Sequence, residues 1–308
     1  MFSSGNALPC NAVSRILAAL LAVVASLPGL ADTEEVTHDY GRLTLNANLV
    51  MADGKQFEDG MVLIVHGLMG HNRMEIIEKS QILLQEQGLS SLAINISLGV
   101  NSRHGYLNCD MPHRHLQDDA IGEISSWVNW LRERGTTRII LMAHSRGANQ
   151  AMVYAVEKLD PEVTRLVLLA PGTGLSKRSF EERWGDGYDA TLARAQQLVA
   201  AGKGEELMED VDMLYCPRVA ATANAWISYY GDHRFRRFQE YLPRVQVPTL
   251  IVAGTIDERF PNIEKDVKPY IDGKKVQLSI IEGSGHFFRD FNIDEAMEAA
   301  MDFLASVE

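Results

Sequence analysis

Six short, almost wholly apolar runs constrain the fold of this chain more than any other feature. They fall at residues 61–65 (M-V-L-I-V), 91–96, 138–143, 165–170, 249–253 and 276–281. A strand with one face in water alternates apolar and polar residues, whereas a strand buried on both faces reads as a continuous apolar run. Between the runs lie stripes with helical spacing: Ile121, Ile124, Val128 and Leu131; Ala148, Ala151, Met152, Ala155, Val156 and Leu159; Met297, Ala300, Met301 and Leu304. Strand and helix therefore alternate, which predicts an α/β fold with a mostly parallel sheet covered by helices on both faces. Residues 40–51 alternate instead (Leu43, Leu45, Ala47, Leu49) and predict an early antiparallel strand.

One interval breaks the rhythm. Residues 173–247 separate two strands by far more chain than a crossover needs. The interval carries Trp184, Tyr188, Tyr215, Trp226, Tyr229, Tyr230, Phe235 and Phe238. It predicts an inserted, mostly helical cap within a single domain spanning 32–308. The cap's aromatic residues would either form its own small core or contact an apolar part of a substrate.

Residues 1–31 stand apart. They hold one charge, Arg15, and an apolar run over 16–27, ended by Pro28-Gly29; acidic residues begin at Asp32. The run is short for a membrane helix, which needs ~20 residues. The pattern is that of a cleavable signal peptide, with small residues Gly29 and Ala31 preceding the cut, and it predicts a periplasmic or secreted protein. An uncleaved anchor is the competing reading. The chain as a whole has 29 basic and 41 acidic residues and a net charge of −12. That balance lacks the electrostatic footprint of a nucleic-acid binder. Of three cysteines, Cys10 lies in the leader, leaving Cys109 and Cys216.

Four motifs carry chemistry. The run at 138–143 leads into Ala143-His144-Ser145-Arg146-Gly147 and then a helix, the strand–turn–helix context of a nucleophile elbow. The sequence is A-x-S-x-G where G-x-S-x-G is usual, and alanine adds only a methyl group. The helix starting after Ser145 aims its N-terminal dipole at the serine. His66-Gly67-Leu68-Met69-Gly70 follows the first buried run. It suits an oxyanion loop, in which the Leu68 and Arg146 backbone N–H groups would face a developing negative charge. Asp257 ends the run at 249–253 and His286 follows the run at 276–281, in Glu282-Gly283-Ser284-Gly285-His286. All these groups fall at strand C-termini, where open α/β sheets bind ligands.

Taken together, these motifs resemble those of the α/β-hydrolase superfamily over nearly all of residues 40–308. The resemblance implies Ser145 as nucleophile, His286 as base and Asp257 as the acid that orients it, with Glu258 the alternative acid. It implies no metal and no cofactor. His144 is expected to pack beside the elbow. His66 is expected to brace the oxyanion loop, and it is grouped with the residues that could meet substrate.

The segment 99–116 (G-V-N-S-R-H-G-Y-L-N-C-D-M-P-H-R-H-L) should lie at the same sheet edge. It is read as a polar loop leading to a helix, or as a substrate-shaping loop in which Arg103, His104 and Arg114 meet an anionic group. Its histidines and Cys109 fit no established zinc spacing. Cys109 in this loop and Cys216 in the cap are a candidate disulfide in an oxidising compartment. The reading is an exported serine hydrolase acting on a carboxylic ester, the partner being a small-molecule ester or related acyl compound. An aminopeptidase, amidase or thioesterase is the second reading, and a non-catalytic binding protein that keeps the fold is the third.

Overall fold

The structure is a computed structural model, and it describes Met1 and residues 33–172, 177–236 and 238–306. The expected signal peptide and its cleavage at Ala31 lie outside the described residues. The chain divides after Leu30, and every element below belongs to the second unit, Ala31–Glu308.

In chain order the elements are β1 (Glu34–Tyr40), β2 (Leu43–Val50), β3 (Met61–Val65), α1 (Glu75–Glu86), β4 (Ser91–Ile94), α2 (Asp119–Arg132), β5 (Ile139–His144), α3 (Arg146–Lys158) and β6 (Val163–Leu169). An insertion follows, with α4 (Lys177–Trp184), α5 (Tyr188–Ala200), β7 (Leu207–Met213), β8 (Cys216–Thr222), α6 (Ala223–Tyr230) and the short α7 (Phe238–Tyr241). The chain then returns to the sheet with β9 (Thr249–Gly254), α8 (Ile263–Val267), β10 (Val276–Ile281) and α9 (Asn292–Ser306).

Eight strands form one sheet in the order β1-β2-β4-β3-β5-β6-β9-β10. The pairs β1–β2 and β2–β4 are antiparallel. The pairs from β4 through β10 are parallel. All five residues of β3 are buried, and they divide by parity. Met61, Leu63 and Val65 join the core under α2 and α3, while Val62 and Ile64 join the core under α1 and α9. A strand sandwiched in this way has no solvent face to mark with polar residues. The chain leaves β3 for β4 on one side and returns to β5 on the other. The strand order therefore reverses between β3 and β5, which opens a crevice at their C-terminal ends.

The insertion is not purely helical: β7 and β8 form a two-stranded antiparallel hairpin with register shifts, so its polar–apolar pattern is irregular. Its aromatic residues pack mainly on one another. Phe180, Tyr188, Trp226 and Tyr230 form a cluster, with the Trp226 and Tyr230 ring centroids 4.6 Å apart. This packing gives the insertion its own small core. The segment after β4 is fastened to it. The His113 N–H donates to Ala220 O (2.8 Å) and the Thr222 N–H to His113 O (2.9 Å). Cys109 and Cys216 are joined as a disulfide across 107 positions of sequence. Among the described residues, no helix is long and apolar enough to cross a membrane.

Beneath the same segment, Glu123 of α2 is buried. Its carboxylate accepts the Ser97 N–H (2.7 Å) and the Ser97 hydroxyl (2.5 Å). Burial, partly offset by these two bonds, raises the Glu123 carboxyl to about 7. The folded state therefore holds a proton that the unfolded chain releases near 4.5. Stability is unaffected by this group below about pH 4.5 and falls as pH rises towards 7, by up to about 3 kcal/mol. Glu123→Gln keeps a partner for both Ser97 groups without the charge. It should flatten the fall in urea-unfolding free energy between about pH 5 and 8. An unchanged pH slope in the variant would refute this account.

Candidate active site

Ser145 sits between β5 and α3 with φ 55° and ψ −122°, a backbone conformation that disfavours any side chain and stores about 1–3 kcal/mol. Its N–H is tied to Leu169 O at 2.8 Å. The turn is held against the loop after β3 by extreme closeness. A Cβ on Gly147 would lie 2.4 Å from His66 O and 2.8 Å from Val65 O, so only glycine fits there. A Cβ on Gly67 would lie 3.1 Å from Ser145 Cβ. The two loops thus share one contact, which brings the Leu68 main chain to the serine.

His286 links the serine to Asp257. His286 Nδ1 is 2.8 Å from Asp257 Oδ2, and His286 Nε2 is 2.8 Å from Ser145 Oγ. A carboxylate only accepts, so Nδ1 carries the proton and Nε2 is left to accept the serine hydroxyl proton. Asp257 Oδ1 accepts the N–H groups of Arg259 (2.8 Å) and Phe260 (3.0 Å). Burial alone would raise the Asp257 carboxyl. The His286 bond and charge and the two backbone donors outweigh it and hold the carboxyl below its ordinary value. Glu258, the alternative acid, is exposed and pairs loosely with Arg259 at 3.8 Å.

Two other histidines act as struts. His144 Nε2–H donates to His286 O at 2.9 Å. His66 Nδ1–H donates to Gly67 O (2.7 Å), and its Nε2 accepts from the Ile96 N–H (3.0 Å) and Arg103 Nη2 (3.1 Å). Burial lowers both rings to about 3, so both are neutral. Arg146 is the first residue of α3, directly after Ser145. Leu68 of the loop after β3 lines the same cleft as Ser145.

Of the residues expected to meet substrate, His66, Arg103, His104 and Arg114, none lines the cleft beside Ser145. Arg103 is 4% exposed and spends its guanidinium on backbone and side chain: Nε on Ile96 O (2.8 Å), Nη2 on Gly70 O (2.8 Å) and Asn95 Oδ1 (2.8 Å), Nη1 on Gly105 O. It pins the loop after β3 to the segment after β4. His104 is exposed and pairs with Glu35 at 2.9 Å, and Arg114 donates to Glu205 O at 3.3 Å. The sequence places these cations near the edge but does not say which way each one points. His113 and His115 are buried, and His115 Nδ1 lies 2.9 Å from the Tyr229 hydroxyl. Among the described residues no group of three or more His, Cys, Asp or Glu could hold a metal ion.

The cleft has a volume of about 490 Å³, the size of a small-ligand site. Ser145 and His286 open onto it. Its walls are Gly67, Leu68 and Met69 of the β3 loop, Tyr106, Leu107 and Cys109 of the segment after β4, and Tyr215 of the insertion. Tyr215 is the one aromatic residue of the insertion on these walls. Met74, Glu75 and Ile76 around the start of α1 line the cleft too, as do Arg259, Phe287 and Arg289; sequence reasoning missed all six, although the last three flank Asp257 and His286 in the chain.

A mostly parallel sheet with this strand order, and a serine on a strained strand–helix turn at its switch point, define an α/β-hydrolase architecture. The sequence matches the alpha/beta hydrolase family over residues 62–300, and the chain belongs to that family. No curated protein matches it. Among solved structures it is similar to Est1E from Butyrivibrio proteoclasticus, at TM-score 0.60 and 19% identity over 88% of this chain and 99% of that one. It is similar to a monoacylglycerol lipase of Paleococcus ferrophilus, at TM-score 0.58 and 17% identity over 85% and 98%. A Pyrococcus furiosus esterase is similar at TM-score 0.54 and 16% identity over 90% and 91%. At these identities the likeness is one of fold.

The strain at Ser145 makes a prediction that contacts alone do not. Ser145→Gly should be more stable than Ser145→Ala by about 1 kcal/mol in urea unfolding, since glycine tolerates φ near 55°. Equal midpoints, or a less stable glycine variant, would contradict the strain.

Proposed function

We propose that the protein is an exported serine hydrolase that cleaves a carboxylic ester of a small or medium-sized substrate through an acyl-enzyme. One observation carries the reading: the unbroken hydrogen-bonded line Asp257–His286–Ser145, with the serine open to the cleft.

The reaction follows from that geometry. His286 Nε2 takes the Ser145 proton as Oγ attacks the ester carbonyl. The carbonyl oxygen becomes negative, and the Leu68 and Arg146 N–H groups receive it in a site already shaped for it. Asp257 stabilises the imidazolium by holding Nδ1–H. His286 then gives its proton to the leaving alkoxide, and the alcohol departs. Water, deprotonated by the same nitrogen, attacks the acyl-serine, and the acid leaves with Ser145 restored. The insertion serves as a cap, with Tyr215 as its wall of the cleft. The disulfide supports this role because Cys109, itself a wall residue, is tied to Cys216 next to Tyr215. A disulfide also suits an exported protein, as does the leader at 1–31. The esterase and lipase named among the similar structures support an ester as substrate.

Ser145→Ala and His286→Ala should each lower kcat on a short 4-nitrophenyl ester by at least about 10³-fold, with the native circular-dichroism spectrum retained in both variants. Wild-type turnover in Ser145→Ala would overturn the mechanism. For export, the protein recovered from the producing cell should begin at Asp32 with Cys109 and Cys216 oxidised. An intact N-terminal Met1, or two free thiols, would contradict that part of the proposal.

A further inference from the structure

The cleft carries two arginines that no step of ester cleavage uses. The charged residues on its walls, apart from the histidines, are Glu75, Arg259 and Arg289. In a chain with 41 acidic and 29 basic residues, a cleft in which cations outnumber acids runs against the whole-protein field. Both guanidiniums pack on Phe287: Arg259 Cζ is 5.3 Å and Arg289 Cζ 5.9 Å from its ring centroid. Phe287 in turn packs edge-on against His286, centroids 5.1 Å apart. Arg259 also donates through Nη1 to the Tyr215 hydroxyl, and a third cation, Arg183, lies 4.3 Å over the Tyr215 ring. The Arg259 guanidinium pairs with the exposed Glu258 at 3.8 Å, a separation at which a surface pair contributes little. Among the described residues, no ion pair is formed by Arg289. Stacking on aromatic faces fixes the guanidinium planes and leaves N–H edges free for a planar anion.

We propose that the cleft selects an ester that carries a carboxylate, held by Arg259 and Arg289 beside Phe287. The proposal rests on Ser145 being the nucleophile and adds the substrate class. The anion lies on the His286 side of the cleft, away from the Gly67–Met69 wall. It replaces the site that the sequence suggested at Arg103, His104 and Arg114. The Arg259 backbone N–H that serves Asp257 is retained in any side-chain substitution there, so the test separates charge from the positioning of the acid.

The experiment compares two ester pairs, one charged on the acyl side and one on the alcohol side. The first is 4-nitrophenyl hydrogen glutarate against 4-nitrophenyl hexanoate. The second is 4-acetoxybenzoate against its methyl ester. The ratio of kcat/KM, anionic over neutral, is measured for the wild type, for Arg259→Gln/Arg289→Gln and for Arg259→Lys/Arg289→Lys. In at least one pair the glutamine variant should lower the ratio by about tenfold or more, the loss of one or two charge-assisted hydrogen bonds. The lysine variant should recover part of it, restoring the charge without the planar fork. Raising NaCl from about 0.05 to about 0.5 M should lower the wild-type ratio more than that of the glutamine variant. Independently of turnover, Ser145→Ala protein should bind 4-acetoxybenzoate more tightly than its methyl ester, and the glutamine pair should remove that preference. An unchanged ratio in both pairs, or a lysine variant no better than the glutamine one, overturns the anion site while leaving neutral-ester cleavage standing. Failure of the wild type to cleave any of the four esters instead contradicts the serine-hydrolase reading.

Discussion

The close approach of two loops, one after β3 and one between β5 and α3, is the constraint on which the rest of the site depends. Gly147 lies so near the carbonyls of Val65 and His66 that a methyl group has no room. That closeness does two things at once. It forces the backbone at Ser145 into its strained conformation, which lifts the hydroxyl out of the helix and into the cleft. It also sets the loop that carries Leu68 beside Ser145. The serine and the glycine loop are thus positioned by a single packing event.

The remaining parts are fixed by the sheet. β9 and β10 are adjacent and parallel, so the loops after them deliver Asp257 and His286 to the same edge as the β5 turn. Buried neutral histidines then lock the loops. His144 holds the His286 carbonyl, and His66 ties the glycine loop to Arg103 and the segment after β4. Keeping these rings uncharged matters, because an unpaired buried cation is costly. Arg103 does carry its charge into the interior, and it is tolerated there because each of its three guanidinium nitrogens donates to an acceptor.

Much of this was legible in the sequence because the relevant signals are local. The apolar run at 61–65 coincides with β3, since burial on both faces leaves no polar position to blur the ends; the run at 276–281 coincides with β10, an edge strand buried only at Val276 and Ile281. The elbow is legible because its strain demands a small residue on each side of Ser145. What was not legible depends on direction. Strand β1 is largely exposed, so it lacks an apolar signature. The β7–β8 hairpin shifts register twice, which scrambles its alternation. Arg103 and Arg259 look alike in sequence, yet one side chain turns inward to bond carbonyls and the other lines the cleft. No spacing rule distinguishes them, because the difference is made by residues distant in the chain: Gly70 and His66 for the first, Tyr215 for the second.

The central claim is that Ser145 is activated by His286 as a covalent nucleophile. Its most direct measurement is the stoichiometry and site of reaction with a fluorophosphonate, read by intact mass and peptide mapping. The account predicts one adduct per chain, on the peptide containing Ser145, with labelling slowed by at least about 10²-fold in His286→Ala. No adduct on the folded protein, an adduct on another residue, or labelling of Ser145 at an undiminished rate without His286 would contradict it.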